Sequence, residues 1–151
     1  LAGVGPAVEA FKRHYGVRYL DQTRFYPHCR ETIDSFSDKK HAIFSNKPLQ
    51  FIEKILAGLN YPHPFASILG GDGLEARKPD PRGLIRIMDT LRIPAGETVM
   101  VGDAPLDVET GRRAGVLTCA VAYGLGDRSA LELARPGWII DDFSQLREIF
   151  C

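Results

Sequence analysis

Three points along the sequence carry side chains suited to handling a phosphate group. Ser45 and Asn46 offer a hydroxyl and an amide at the entrance to an expected helix, where both can donate to phosphate oxygens beside its positive end. Lys78, in the run Arg77-Lys78-Pro79-Asp80-Pro81, sets a cation just before another helix start, a point charge able to neutralise a phosphoryl group. Asp103 and Asp107 stand four residues apart, at a strand end and the following helix start. They are hard oxygen ligands of the kind magnesium takes, with water and phosphate completing its shell. Alone, each residue has an ordinary structural role: Ser45, Asn46 and Asp107 as helix caps, Lys78 as a solvated lysine, Asp103 as a turn former. Their shared position, at the carboxyl ends of successive strands, is what capping does not explain.

The elements that must position them follow from hydrophobic patterning. Short apolar runs at His41–Ser45, Ala66–Leu69, Thr98–Val101, Leu117–Val121 and Trp138–Ile140 read as strands. Between them lie helical patterns. Pro48 opens one, with Leu49, Ile52, Ile55, Leu56 and Leu59 as its stripe. Asp80-Pro81 opens the next as cap and first residue, with Leu84, Ile85, Met88 and Leu91 facing inward. A third runs from Leu106 to Ala114 and stops at Gly115, and helices at Ser129–Leu133 and Ser144–Ile149, the last capped by Asp141-Asp142, complete the pattern. Upstream, Gly5–Tyr15 is amphipathic, Val17–Pro27 is a connector, and a short helix spans Cys29–Phe36. Strands of four or five residues alternating with helices predict an α/β fold, a doubly wound parallel sheet covered on both faces. Ligands bind such sheets beyond the strands' carboxyl ends.

Composition bounds the rest. The 151 residues suit one domain, and 44% apolar with 25% charged residues is a globular balance. Nineteen basic and nineteen acidic side chains leave no net charge, which excludes a dedicated nucleic-acid binder with a basic surplus. No apolar run approaches the roughly 20 residues of a membrane span, and no leader is expected. Cys29, Cys119 and Cys151 are too dispersed for a disulfide framework or a zinc site, and a reducing cytoplasm is expected. His14, His28, His41 and His63 show no metal-ligand spacing; Gly124 and Gly126 are too sparse for a dinucleotide fingerprint; Arg112-Arg113 reads as a solvated helix face.

Taken in order, SNKP at 45–48, RKPDP at 77–81 and VGDAPLDVETGRRAG at 101–115 resemble motifs two, three and four of the haloacid-dehalogenase (HAD) superfamily. The spacings, 33 residues from Ser45 to Lys78 and 25 from Lys78 to Asp103, resemble the family's as well. The SNKP form, the Gly-Gly-Asp before Lys-Pro and the DVETGRRAG tail are most similar to the phosphoglycolate phosphatase-like branch. The resemblance implies a Rossmann-like core over residues 27–151, with residues 1–26 as the end of a helical cap and a connector. It implies a hydrolase of small phosphomonoesters working through an aspartyl-phosphate with Mg2+. In it, Ser45 binds the phosphoryl group, Asn46 supports that phosphate loop, and Lys78 bridges the phosphate and the nucleophile. Asp103 ligates the metal, and Asp107 holds it through water or orients its shell. The role of Arg77 stays open.

Motif one, an Asp-x-Asp run that the family uses as nucleophile and acid, is not in the sequence: none of its eleven aspartates is followed two residues later by another. Asp21-Gln22-Thr23 is the nearest imitation, and no apolar strand precedes it. The motif-one strand would be central, flanked by the strands ending at Ser45 and Asp103. Without it those two face each other across a gap of about one strand, roughly 4.8 Å from each neighbour. The backbone groups exposed there would each cost about 1–3 kcal/mol if buried, against a total stability of about 5–15 kcal/mol. The expectation is a fragment of a longer phosphatase, inactive alone, with a small phosphorylated substrate and no nucleic-acid or membrane partner. The alternatives are a phosphate-binding or interaction protein that has lost motif one, or another member of the superfamily (sugar-phosphate phosphatase, pyrophosphatase or phosphoglucomutase).

Overall fold

A computed structural model describes residues 23–62, 64–73 and 77–150. The expected Gly5–Tyr15 helix, nearly all of the 1–26 segment, His63 and Cys151 lie outside the described residues. Along the chain come α1 (Cys29–Ser35), β1 (His41–Phe44), α2 (Leu49–Gly58), β2 (Phe65–Leu69), α3 (Arg82–Leu91) and a 3-10 turn (Ala95–Glu97). There follow β3 (Val99–Gly102), α4 (Pro105–Ala114), β4 (Leu117–Val121), α5 (Arg128–Ala134), β5 (Trp138–Ile140), a second 3-10 turn (Phe143–Gln145) and α6 (Leu146–Phe150).

Every strand pair is parallel, as a βαβ alternation requires, with Ile43 opposite Ile68, Val101 opposite Cys119 and Cys119 opposite Trp138. The sheet is divided. Among the described residues β1 pairs with β2 alone, and β3, β4 and β5 form a separate three-stranded sheet in that order. Burial follows the division. Central β4 buries Thr118, Cys119, Ala120 and Val121, whereas β1 has no fully buried residue and Ala42 is exposed. The expectation that each strand is buried on both faces therefore holds for β4 and fails for β1 and β2, because a strand with one neighbour and an open edge meets solvent.

One apolar cluster joins the two sheets: Leu84 and Met88 of α3 meet Met100 of β3 and Val116, and Phe44 of β1 packs against them. The buried face of α3 uses Ile87 in place of the expected Ile85, which is exposed. Leu84, Ile87, Met88 and Leu91 make the i, i+3, i+4, i+7 stripe of a helix, and Ile85 falls off it. A second cluster collects Cys119, Val121, Ile140 and Leu146, bordered by Trp138, whose ring meets Phe150 edge-on at 5.1 Å. Val108, Ala120 and Leu131 form a third between α4, β4 and α5. At the start of the described chain, Phe25 packs edge-on against Tyr61 and Tyr26 against Tyr123. His28 Nδ1 lies 2.8 Å from Asp142 Oδ2, tying α1 to the second 3-10 turn, which Asp142 caps through the Ser144 N–H. No helix among the described residues is long and apolar enough to cross a membrane.

Candidate active site

Beyond Phe44 the chain turns through Ser45-Asn46-Lys47-Pro48 into α2, and beyond Leu69 it turns through Gly70-Gly71-Asp72. These two loops lie directly on each other. The Ser45 N–H donates to Leu69 O at 3.0 Å and the Gly71 N–H to Lys47 O at 2.9 Å. A Cβ on Gly71 would stand 2.3 Å from Asn46 O, so only glycine permits this approach. Asp72 reaches across, its Oδ1 accepting the Leu49 N–H at 2.8 Å. The first amide of α2 is therefore already satisfied by a carboxylate. Ser45 lies before α2, its hydroxyl accepting the Lys47 N–H at 3.1 Å and still able to donate.

Lys78 arrives from the third loop. The Asn46 side chain holds its main chain at both polar atoms: the Lys78 N–H donates to Oδ1 at 2.8 Å, and Nδ2 donates to Lys78 O at 3.2 Å. The Lys78–Pro79 peptide is cis. The ammonium lies over the Phe44 ring, 5.6 Å from its centroid, and reaches Asp107 Oδ1 at 2.6 Å. The two side chains are only 12% and 7% exposed, so the pair is almost removed from water. Removing one partner of such a pair strands the other charge, at a cost of about 3–5 kcal/mol. Asp107 is in the first turn of α4, where its Oδ2 accepts the Ala104 N–H at 3.1 Å.

Asp103 is held from the opposite side, by the loop after β4. Its Oδ2 accepts the Leu125 N–H at 2.9 Å, and a Cβ on Gly124 would stand 2.2 Å from the Asp103 Cβ. Leu125 itself is 96% exposed, so it contributes its main chain and not its side chain. The structure thus links Asn46, Lys78 and Asp107 in one hydrogen-bonded chain, with Ser45 adjoining Asn46 in sequence and Asp103 just after the end of β3. Arg77 is exposed.

The donor set suits a hard cation sparingly. Asp107 is committed to Lys78 and Ala104, while Asp103 has Oδ1 outside its hydrogen bond to Leu125. Among the described residues no three His, Cys, Asp or Glu side chains gather to hold a metal. One or two carboxylates completed by water and phosphate is nonetheless magnesium's usual protein shell. Among the described residues the cysteines offer no replacement nucleophile. Cys29 and Cys119 are free thiols, and burial pushes each up to about 11, with Glu31 adding to the effect at Cys29. At neutral pH they stay protonated and unreactive.

Sequence reasoning marks Gly70-Gly71-Asp72 and Tyr123-Gly124 as lying just after strands, where ligands bind, but it misses what they do there: the Asp72 cap on α2 and the Leu125 main-chain contact to Asp103. Gly124 and Gly126 make no dinucleotide motif; they give the loop room to close on Asp103.

The sequence profile of the haloacid dehalogenase-like hydrolases matches residues 4–121. A phosphoglycolate phosphatase of Haemophilus influenzae is 30% identical over 97% of this chain and 66% of its own length. One of Pseudomonas savastanoi pv. phaseolicola is 32% identical over 92% of this chain and 52% of its own. The chain thus spans between about half and two thirds of these relatives. Among solved structures, a predicted phosphoglycolate phosphatase from Haemophilus somnus superposes with a TM-score of 0.89 at 26% identity, covering 95% of this chain and 64% of that one.

Proposed function

The chain belongs to the haloacid dehalogenase-like hydrolase family, and from that premise we propose that it is the phosphate-handling part of a magnesium-dependent phosphomonoesterase. The substrate class is phosphoglycolate or a similar small phosphorylated acid, as the names of the relatives suggest. Residues 27–151 are the catalytic core in this reading, and residues 1–26 the end of a cap and its connector. The observation that carries the proposal is the buried Lys78–Asp107 pair, 2.6 Å apart, which joins the segment after β2 to the helix after β3, with Lys78 held through its main chain by Asn46, the neighbour of Ser45. An ammonium held there has a fixed place from which to meet a phosphoryl oxygen, and Ser45 donates to a second. Asp103 and Asp107 would hold the magnesium, which when bound supplies positive charge against the phosphoryl oxygens.

The nucleophile is not among this sequence's aspartates. In the proposed enzyme it is a carboxylate on a strand seated between β1 and β3, which would account for the division of the sheet among the described residues. The 151-residue chain is then a fragment. It acts in the cytoplasm, a reducing compartment that suits its free Cys29 and Cys119. The test is phosphate release from phosphoglycolate with magnesium or with chelator. A longer protein carrying an Asp-x-Asp strand upstream should turn over and lose at least about a hundredfold in rate with Asp103→Asn or Lys78→Met. The 151-residue chain should stay at background. Robust magnesium-dependent turnover by that chain alone would overturn the proposal.

A further inference from the structure

We propose that Asn46 is a positioning residue for Lys78, and that its side chain serves the main chain of that lysine instead of a phosphate. The chemical consequence rests on the phosphatase reading; the geometry does not. The β1–β2 ladder ends with Phe44 opposite Leu69 and continues past the strands through the Ser45 and Gly71 amides. The Asn46 carboxamide is the next rung. It presents an acceptor to the Lys78 N–H and a donor to the Lys78 carbonyl, at 2.8 and 3.2 Å, as a neighbouring strand would.

Three observations make this a device. The two residues are 32 apart in sequence, so the pairing ties the segment carrying Lys78 to the loop after β1. Gly71 presses on the Asn46 main chain, where any Cβ would collide, so the amide is aimed from a braced position. Lys78 then runs over Phe44 to Asp107. A lysine has a flexible stem, and its reach is set by where its main chain is anchored. Among side chains only asparagine fits: aspartate lacks the donor, glutamine is one methylene too long, and serine offers a single polar atom. Both main-chain bonds set the plane of the amide, leaving one N–H and one lone pair aimed by Lys78 and not by a ligand.

Amide hydrogen exchange by NMR on the 151-residue chain tests this. Asn46→Ala should lower protection of the Lys78 N–H by about tenfold or more while the β4 amides, which report global stability, stay unchanged. The Lys78 ammonium resonance should move toward that of a solvated lysine. Asn46→Asp, which keeps the Oδ1 acceptor and loses the donor, should retain most of the protection; it carries the comparison if Asn46→Ala does not fold. Titration with inorganic phosphate then separates positioning from direct contact. Asn46→Ala should weaken binding as Lys78→Met does, and add nothing in the Lys78→Met background. Unchanged Lys78 protection in Asn46→Ala overturns the proposal, as does a further loss of phosphate binding in the double variant. If the wild-type chain binds no phosphate, the phosphatase reading suffers, and exchange alone decides the role of Asn46.

Discussion

β4 has a strand on either edge and α4 packed across it and β3, and Ala120 at its centre is fully shielded. β1 has β2 on one edge and no strand among the described residues on the other, and none of its four residues is fully buried. Both halves come from equally apolar sequence and the same strand–helix–strand plan. Apolar character thus permits burial, and neighbours deliver it. Among the described residues the two halves meet at the cluster of Leu84, Met88, Met100 and Phe44, and at the Lys78–Asp107 pair, which links the loop after β2 to the helix after β3. The candidate site lies along that junction, so its geometry depends on how firmly the halves are joined.

The sharpest way to break this picture is at the ion pair. Lys78→Met should cost about 3–5 kcal/mol in chemical denaturation, and a Lys78→Met/Asp107→Leu chain should regain most of it. A loss below about 1 kcal/mol would mean that the pair joins nothing. Next come the two cores. Leu131, with no exposed surface in the three-stranded half, should cost about 3–4 kcal/mol as Leu131→Ala. Leu56, 7% exposed in the two-stranded half, should cost nearer 2 kcal/mol as Leu56→Ala. Equal losses would erase the difference between the halves.

The smallest effect is electrostatic. Hydrogen bonds from Ser144, then from His28, hold the Asp142 carboxyl down from the ordinary 3.8 to about 2. Because the folded value is the lower one, this stabilisation is present above the ordinary value and fades as pH falls from about 4 to about 2. Asp142→Asn should flatten the denaturation midpoint across that window, lying somewhat below the unaltered chain at pH 7 and converging with it near pH 2. An unchanged acid profile would place the pH sensitivity elsewhere.

Much of this was legible in sequence, for reasons that can be named. Leu117–Val121 and Trp138–Ile140 are strands with the expected bounds, because a parallel strand writes itself as an uninterrupted apolar run. Ile85 was misread for Ile87 because a stripe depends on where the helix starts, and α3 begins at Arg82, after Asp80-Pro81. At the site, Ser45, Lys78, Asp103 and Asp107 stand out by type and place. What holds them was not legible. Asp72 caps a helix 23 residues earlier in the chain, and Gly124 clears space for a side chain on another strand end. Such contacts exist only once the fold has brought distant loops together.

The ring of Trp138, edge-on to Phe150, has a consequence for anyone watching this molecule unfold. It is the sole tryptophan in the chain, and it belongs to the strand farthest from the junction between the sheets. Its emission is therefore a local witness. Optical signals from β1, β2 and the loops carrying Ser45 and Lys78 must come from elsewhere, with Tyr61, edge-on to Phe25 in the segment between α2 and β2, as a natural reporter.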